Sequence, residues 1–259
     1  YFISDKNKLI EFLDTLSLQI ILNVYRFPKN KKITNVFSIS SKLKLTFLCN
    51  SNLQEIKKIV KINNILGNSI NSSRIFSDLP ANICTPEFFS NNTKKLNGEK
   101  NLKVKVLGKS EIKKLKMGSF LSVSQGSVTE PKFVIMEYLP VKNKSPIVFV
   151  GKGVTFDSGG VNVKPYESFV SMMKNDMAGA ALAWHLFKGL VEDQFTRPLV
   201  VVLPCCENLV SQSAMRPGSI VESHRGLKVR IDHTDAEGRL ILADALSWAS
   251  DRYLPTDVF

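Results

Sequence analysis

The sequence predicts an α/β fold: a mixed, largely parallel sheet flanked by helices, preceded by the remnant of a smaller α/β N-terminal domain. Three observations carry this. Beyond about residue 146, strand-like and helix-like segments alternate, the signature of parallel strands joined by crossover helices. Pro198-Leu-Val-Val-Val-Leu203 is apolar throughout, as in a strand covered on both faces. A glycine-containing stretch, Val150-Gly-Lys-Gly-Val-Thr-Phe-Asp-Ser-Gly-Gly160, follows a short apolar strand at 146–150 and reads as a long loop.

In chain order, residues 4–22 predict an amphipathic helix, with Leu9, Leu13, Leu16 and Ile20 at helical spacing on one face. Ser41-Lys-Leu-Lys-Leu-Thr-Phe-Leu48 alternates, a strand with Leu43, Leu45 and Phe47 on one side. Residues 50–66 return to helical spacing, with Gly67 as the residue just past the helix end. Residues 1–66 therefore form a partial N-terminal α/β domain with a connecting helix, and 67–259 a second, larger domain. Thr85-Pro86-Glu87 marks a helix start. Leu102-Lys-Val-Lys-Val-Leu107 and Phe133-Val-Ile-Met-Glu-Tyr138 predict strands, separated by a short basic helix opening at Ser110 and ending near Gly118. A helix over 176–191 carries Ala178, Leu182, Leu186 and Leu190 four apart. A short strand follows at 227–231, then a helix over 237–250 carrying Leu240, Ala243, Leu246 and Ser250. The sequence opens on Tyr1 and closes at Phe259 where a new strand begins, so it is expected to be a fragment lacking both ends.

With 259 residues of which 44% are hydrophobic, the chain can bury a substantial core, and disorder is not its default. No apolar run approaches the ~18 residues of a membrane-spanning helix, so no membrane partner is expected. Cys49, Cys84, Cys205 and Cys206 match neither a disulfide framework nor a zinc spacing; they are expected to be buried free thiols of a cytoplasmic protein. The net charge of +12 leaves a polyanion partner open, but the lysines are dispersed in a Lys/Asn/Ile-rich background without a recognition motif.

The chemistry-bearing residues lie between Val150 and Arg239. In open α/β sheets, sites form beyond the carboxyl ends of strands. Lys152 and Asp157 follow strand 146–150, Asp235 and Glu237 follow strand 227–231, and Asp176 heads the intervening helix. Each has an ordinary structural explanation in isolation. Thr234-Asp-Ala-Glu237 fits a capping box; Asp157-Ser-Gly-Gly160 fits a turn; Asp176 fits a first-turn acid at a helix dipole. Lys152, Lys164 and Arg239 fit solvated surface cations. His185, His224 and His233 are too scattered to form a ligand set and are expected to be structural. Four carboxylates at one sheet edge, however, repel unless cations compensate them. Oxygen donors favour Mn²⁺, Mg²⁺ or Zn²⁺, and a shared carboxylate is the usual device of two-metal hydrolases.

Taken with Lys164-Pro165, Met173-Lys-Asn-Asp-Met177 and Thr234-Asp-Ala-Glu-Gly-Arg-Leu240, the glycine-containing stretch resembles the signature of the leucyl aminopeptidase (cytosol aminopeptidase, peptidase M17) family. Asp78-Leu-Pro-Ala-Asn-Ile-Cys84, Cys206-Glu-Asn208 and Arg216-Pro-Gly218 add to the likeness, which covers about residue 70 to the end. The resemblance implies a two-metal-dependent aminopeptidase removing N-terminal, Leu-like residues from peptides. It implies that Lys152, Asp157, Asp176 and Glu237 hold one Mn²⁺ or Zn²⁺ ion, and Asp157, Asp235 and Glu237 the other. Lys164 polarises the scissile carbonyl, and Arg239 holds a bicarbonate ion that serves as general base. It also implies a homohexamer in the full-length protein. The same family implies an alternative, DNA-binding regulatory or recombination work; an inactive remnant is a third possibility. His233 stands where the family usually has Asn, and the Lys164–Asp176 loop is slightly longer than the nearest bacterial pattern. The family continues beyond Phe259 with Thr-Leu-Thr-Gly-Ala-like residues that line the substrate pocket.

Overall fold

A computed structural model describes residues 6–27 and 53–259. The strand expected at 41–48, the start of the helix expected at 50 and Cys49 lie outside the described residues. Two long helices, α1 (Lys6–Asn23) and α2 (Leu53–Asp78), pack on each other. The helix expected to stop at 66 continues through Gly67 to Asp78. Gly67 is buried inside it because α1 comes close: a Cβ there would lie 2.6 Å from Cγ2 of Ile21. Helix-to-helix approach, not a cap, explains this glycine. Buried Asn63 and Asn71 fasten the pair, donating to Asp14 O (2.8 Å) and Ile21 O (2.8 Å) on α1.

Among the described residues, the body is a six-stranded mixed sheet. Its strands are β1 (Leu102–Leu107), β2 (Lys132–Tyr138), β3 (Ile147–Val150), β4 (Gly153–Asp157), β5 (Leu199–Asn208) and β8 (Asp257–Val258). The order is β1-β2-β5-β3-β8, and β4 also pairs with β5. β2 runs antiparallel to β1 and β5, while β3, β4 and β8 run parallel with β5. β5 is the axis, and all ten of its residues are buried, which is why its sequence is apolar rather than alternating. Its side chains alternate between two cores. Leu199, Val201 and Leu203 meet Phe76, Phe89, Trp184 and Phe187 on one face. Val200, Val202 and Cys206 meet Phe120, Leu240, Ile241 and Ala245 on the other.

The long loop expected after strand 146–150 is instead a second strand. β3 pairs with the first half of β5 (Leu199 to Val202) and β4 with the second (Cys205 to Asn208). The chain breaks only at Gly151-Lys152 and resumes along the same neighbour. α3 (Pro86–Lys94) starts as expected, with Thr85 Oγ1 accepting from Phe88 N (3.2 Å). The basic helix is α4 (Lys109–Lys114), and a second short helix, α5 (Gly118–Ser124), follows it. The strand expected at 227–231 is β7 (Lys228–Arg230), which pairs with β6 (Ile220–Glu222) in a separate antiparallel hairpin rather than in the main sheet.

Two helices present different faces from those the leucine spacing predicts. On α6 (Ala178–Glu192), Ala180, Ala181, Ala183, Trp184 and Phe187 are buried, whereas Leu182 is 57% exposed. Small residues let the helix lie close on the sheet, and the aromatics fill the space further along. On α7 (Gly238–Tyr253), Leu240, Ile241, Ala245 and Ala249 are buried, while Ala243 is exposed.

His185 sits inside the aromatic group of α6, its ring against Phe76 and Trp184 and its Nδ1 2.8 Å from Ala181 O. Burial holds its pKa down to about 4. The unfolded chain takes up a proton near pH 6.5, whereas the folded chain resists until about pH 4. The neutral ring therefore costs nothing above the higher value, and stability falls as the pH drops between the two, by on the order of 3 kcal/mol in full. Urea unfolding at neutral pH and near pH 4.5 checks this: His185→Phe is expected to lose less stability between the two conditions than the parent.

Candidate functional site

The break between β3 and β4 places Lys152 beside the start of α6, and the end of β4 places Asp157 at the carboxyl edge of the sheet. The chain then turns through Gly159 and Gly160, both at positive φ (89° and 68°), and returns with Lys164. Two 3-10 turns, Tyr166–Ser168 and Val170–Asn175, are joined by Phe169 in the left-handed region (φ 48°) and deliver Asp176 just before α6. Asp235 and Glu237 come from the segment between the β6–β7 hairpin and α7. They reach the same edge through that hairpin and not, as the sequence suggested, from a strand of the main sheet.

The four carboxylates interleave with two ammonium groups. Lys152 Nζ lies 2.9 Å from Asp176 Oδ1 and 2.7 Å from Glu237 Oε1. Lys164 Nζ lies 2.8 Å from Asp157 Oδ2 and also contacts Asp235 Oδ1. Asp157, Asp235 and Glu237 each offer a carboxylate oxygen, and these oxygens all lie within 4.8 Å of one another. Asp157 and Glu237 are buried. Burial alone would lower both lysine pKa values, but the carboxylates outweigh it and hold both above the ordinary range: Glu237 and Asp176 for Lys152, Asp157 and Asp235 for Lys164. Asp176 is pushed up to about 6, first by burial and further by the negative charges of Glu237 and Asp157, against the pull of Lys152. Its Oδ2 is buried and, among the described residues, has no hydrogen-bond partner.

Of the ordinary explanations, the Asp157-Ser-Gly-Gly160 turn is present, Gly159 N donating to Asp157 Oδ1 (2.9 Å), whereas the capping box and the first-turn acid are not. Thr234 does not cap α7: its hydroxyl donates to Gly159 O (2.6 Å) and accepts from Asn162 N (2.8 Å). The residue preceding α7 is Glu237 itself, in helical conformation and without a side-chain cap bond. Asp176 lies before the first turn of α6, which holds no acid. Gly238 leaves room for Lys152, whose Nζ would lie 2.8 Å from a Cβ at that position. Arg239 is not drawn into the cluster; it is exposed on the first turn of α7 and, among the described residues, forms no ion pair.

None of the three histidines is among the clustered carboxylates. His185 is buried on α6, His224 Nδ1 lies 2.6 Å from Leu115 O, and exposed His233 accepts from Asp235 N (3.2 Å). Cys84, Cys205 and Cys206 are buried free thiols, and burial raises Cys84 to about 12.

Asn208 is the site residue whose role sequence reasoning missed. Fully buried at the end of β5, its Nδ2 donates to Asp157 Oδ1 (2.8 Å) and to Thr234 O (3.0 Å). The signal was present: a buried amide at the end of a largely apolar central strand needs polar partners at that strand's carboxyl end.

Comparison with known proteins agrees with this architecture. Residues 71–259 match the model of the cytosol aminopeptidase family, catalytic domain. The chain is 39% identical to a probable cytosol aminopeptidase of Paraburkholderia phymatum over 90% of its own length and 46% of that protein. It is 44% identical to one of Herminiimonas arsenicoxydans over 74% of its length and 38% of that protein. It thus spans less than half the length of these curated relatives. Among solved structures, the leucine aminopeptidase of Caenorhabditis elegans superposes with a TM-score of 0.79 at 28% identity, over 96% of this chain and 49% of that one. A bottromycin maturation enzyme in complex with Mn gives 0.79 at 27% identity, over 96% and 52%. The matched span contains every carboxylate and lysine of the cluster, and this chain belongs to the cytosol aminopeptidase family.

Proposed function

We propose that the cluster is the site of a two-metal aminopeptidase that removes N-terminal residues, Leu-like ones preferred, from peptides. The observation that carries this is the meeting of Asp157, Asp235 and Glu237, with Asp176 beside them, around positive charge that, among the described residues, comes from Lys152 and Lys164. Four carboxylates, with an oxygen on Asp176 that is buried and unpartnered among the described residues, and one lysine nitrogen fit divalent cations such as Mn²⁺ or Zn²⁺. Lys152, Asp157, Asp176 and Glu237 would hold one ion, and Asp157, Asp235 and Glu237 the second. Bound there, the two ions supply Lewis acidity and a water of lowered pKa.

The chain's own groups do the rest. Lys152 enters the ligand set only by giving up the proton its carboxylate partners now retain, so metal uptake releases a proton. Lys164 keeps its charge and, once Asp157 and Asp235 turn to the cations, can donate to the scissile carbonyl oxygen as negative charge grows on it. Arg239, exposed and unpaired among the described residues, would hold bicarbonate, which supplies a proton acceptor. We further propose a division into 1–66 and 67–259, with α2 running across the boundary as the connecting helix, a cytoplasmic location and a hexamer for the whole protein. In the described helices no segment is long and apolar enough to cross a membrane.

The test is a pair of chromogenic leucine amides, one with a free and one with an acetylated amino group. Cleavage of the free amide alone supports the assignment; equal cleavage of both contradicts it. A nucleic-acid role has the net charge of +12 in its favour, and steeply salt-dependent DNA binding that survives loss of Asp235 and Glu237 would establish it.

A further inference from the structure

We infer that Asn208 is a positioning residue for this centre: its side-chain amide turns Asp157 so that Oδ2 alone faces the ions. The inference rests on the two-metal function proposed above and follows from counting donors and acceptors. Each carboxylate oxygen accepts about two hydrogen bonds. Oδ1 of Asp157 already takes two, from Gly159 N at 2.9 Å and from Asn208 Nδ2 at 2.8 Å. Oδ2 faces the cluster, with Lys164 Nζ at 2.8 Å. Oδ1 is thus saturated by neutral donors from behind, and Oδ2 is the oxygen left for the ions.

The amide of Asn208 has one orientation that works. Both of its neighbours, Asp157 Oδ1 and Thr234 O, are acceptors, so both protons of Nδ2 are used. A Cβ at Gly160 would lie 2.9 Å from Asn208 Oδ1, so the other end of the amide packs against the glycine turn. The backbone of Asn208 is held as well, its carbonyl accepting from Ser158 N and Ser158 Oγ, both at 2.9 Å. Through one buried side chain, the end of β4 is tied to the segment that carries Asp235 and Glu237. The Thr234 hydroxyl, bonded to Gly159 O and Asn162 N, ties the same two loops; Asn208 alone among these links reaches the Asp157 carboxylate.

Asn208→Asp keeps the shape, removes both donated protons and sets a second carboxylate against Asp157. Asn208→Ala removes the hydrogen bonds without adding charge. Calorimetric titration of the metal-free proteins with Mn²⁺ is expected to show two ions bound to wild type and at least one ion weakened ~10–100-fold in each variant, the range for loss of a ligand's supporting hydrogen bond. Electron paramagnetic resonance of the Mn²⁺-loaded variants is expected to show weaker coupling between the ions, a change that mere loss of stability would not produce. A wild type that binds fewer than two Mn²⁺ overturns the two-metal function and this assignment with it. Two ions in wild type, with unchanged or tighter binding in a folded Asn208→Asp or Asn208→Ala, overturn the assignment alone. Failure of both variants to fold also overturns it, in favour of a purely structural role.

Discussion

Glu237→Gln is expected to lower turnover by ~10³-fold, because the loss of charge stabilisation at a two-metal centre runs to several kcal/mol and each ~1.4 kcal/mol is tenfold in rate. Glu237 is 1% exposed and 2.7 Å from Lys152 Nζ, at the foot of α7. Glutamine preserves its volume and removes one negative charge from the ligand set proposed for both ions. Lys152 is left with Asp176 as its carboxylate partner, so metal-free stability is expected to fall as well, although the part-exposed lysine limits that loss. Steady-state hydrolysis of a leucine amide, set beside Mn²⁺ binding, checks the result. Turnover within a few-fold of the parent would remove Glu237 from the site.

Lys164→Met is expected to separate catalysis from metal uptake. Removal of a cation aimed at a developing oxyanion costs about 10²–10³-fold in kcat. KM should change little, because the interaction strengthens only in the transition state. Metal binding should be unchanged or tighter. Lys164 occupies Asp157 and Asp235 when no ion is bound, and an incoming cation must displace it. Methionine keeps an unbranched side chain one atom shorter and removes that competitor. Proportionate loss of kcat and Mn²⁺ affinity would contradict the role given to Lys164.

The meeting of these side chains was legible because they lie in a few short motifs whose individual explanations are weaker than their joint one. Lys152, Asp157, Asp176, Asp235 and Glu237 meet at one sheet edge, as expected. The route to that meeting was less legible. Glycines 151 and 153 suggested a loop, whereas Gly153 begins a strand pressed against β5. β7 has the alternation of a sheet strand but pairs only in its own hairpin, and pairing partners leave little trace in local sequence. Thr234-Asp-Ala-Glu237 has the spacing of a capping box, yet its hydroxyl is drawn 75 residues away in sequence to Gly159. Gly67 carries the mark of a helix end and instead marks a helix crossing. At Gly153, Thr234 and Gly67 a long-range contact overrides a local preference. Asn208 is the same lesson at the site: its residue type was visible, its partners were not.

The role proposed for the four carboxylates and Lys152 is to hold two ions that act together on a peptide's first bond. Its most direct test is to add Mn²⁺ in steps to the metal-free protein while following hydrolysis of leucine p-nitroanilide. Activity is expected to rise with added metal and to saturate as two ions per chain are bound. Saturated binding of Mn²⁺ without hydrolysis, or full hydrolysis without added metal, would contradict it.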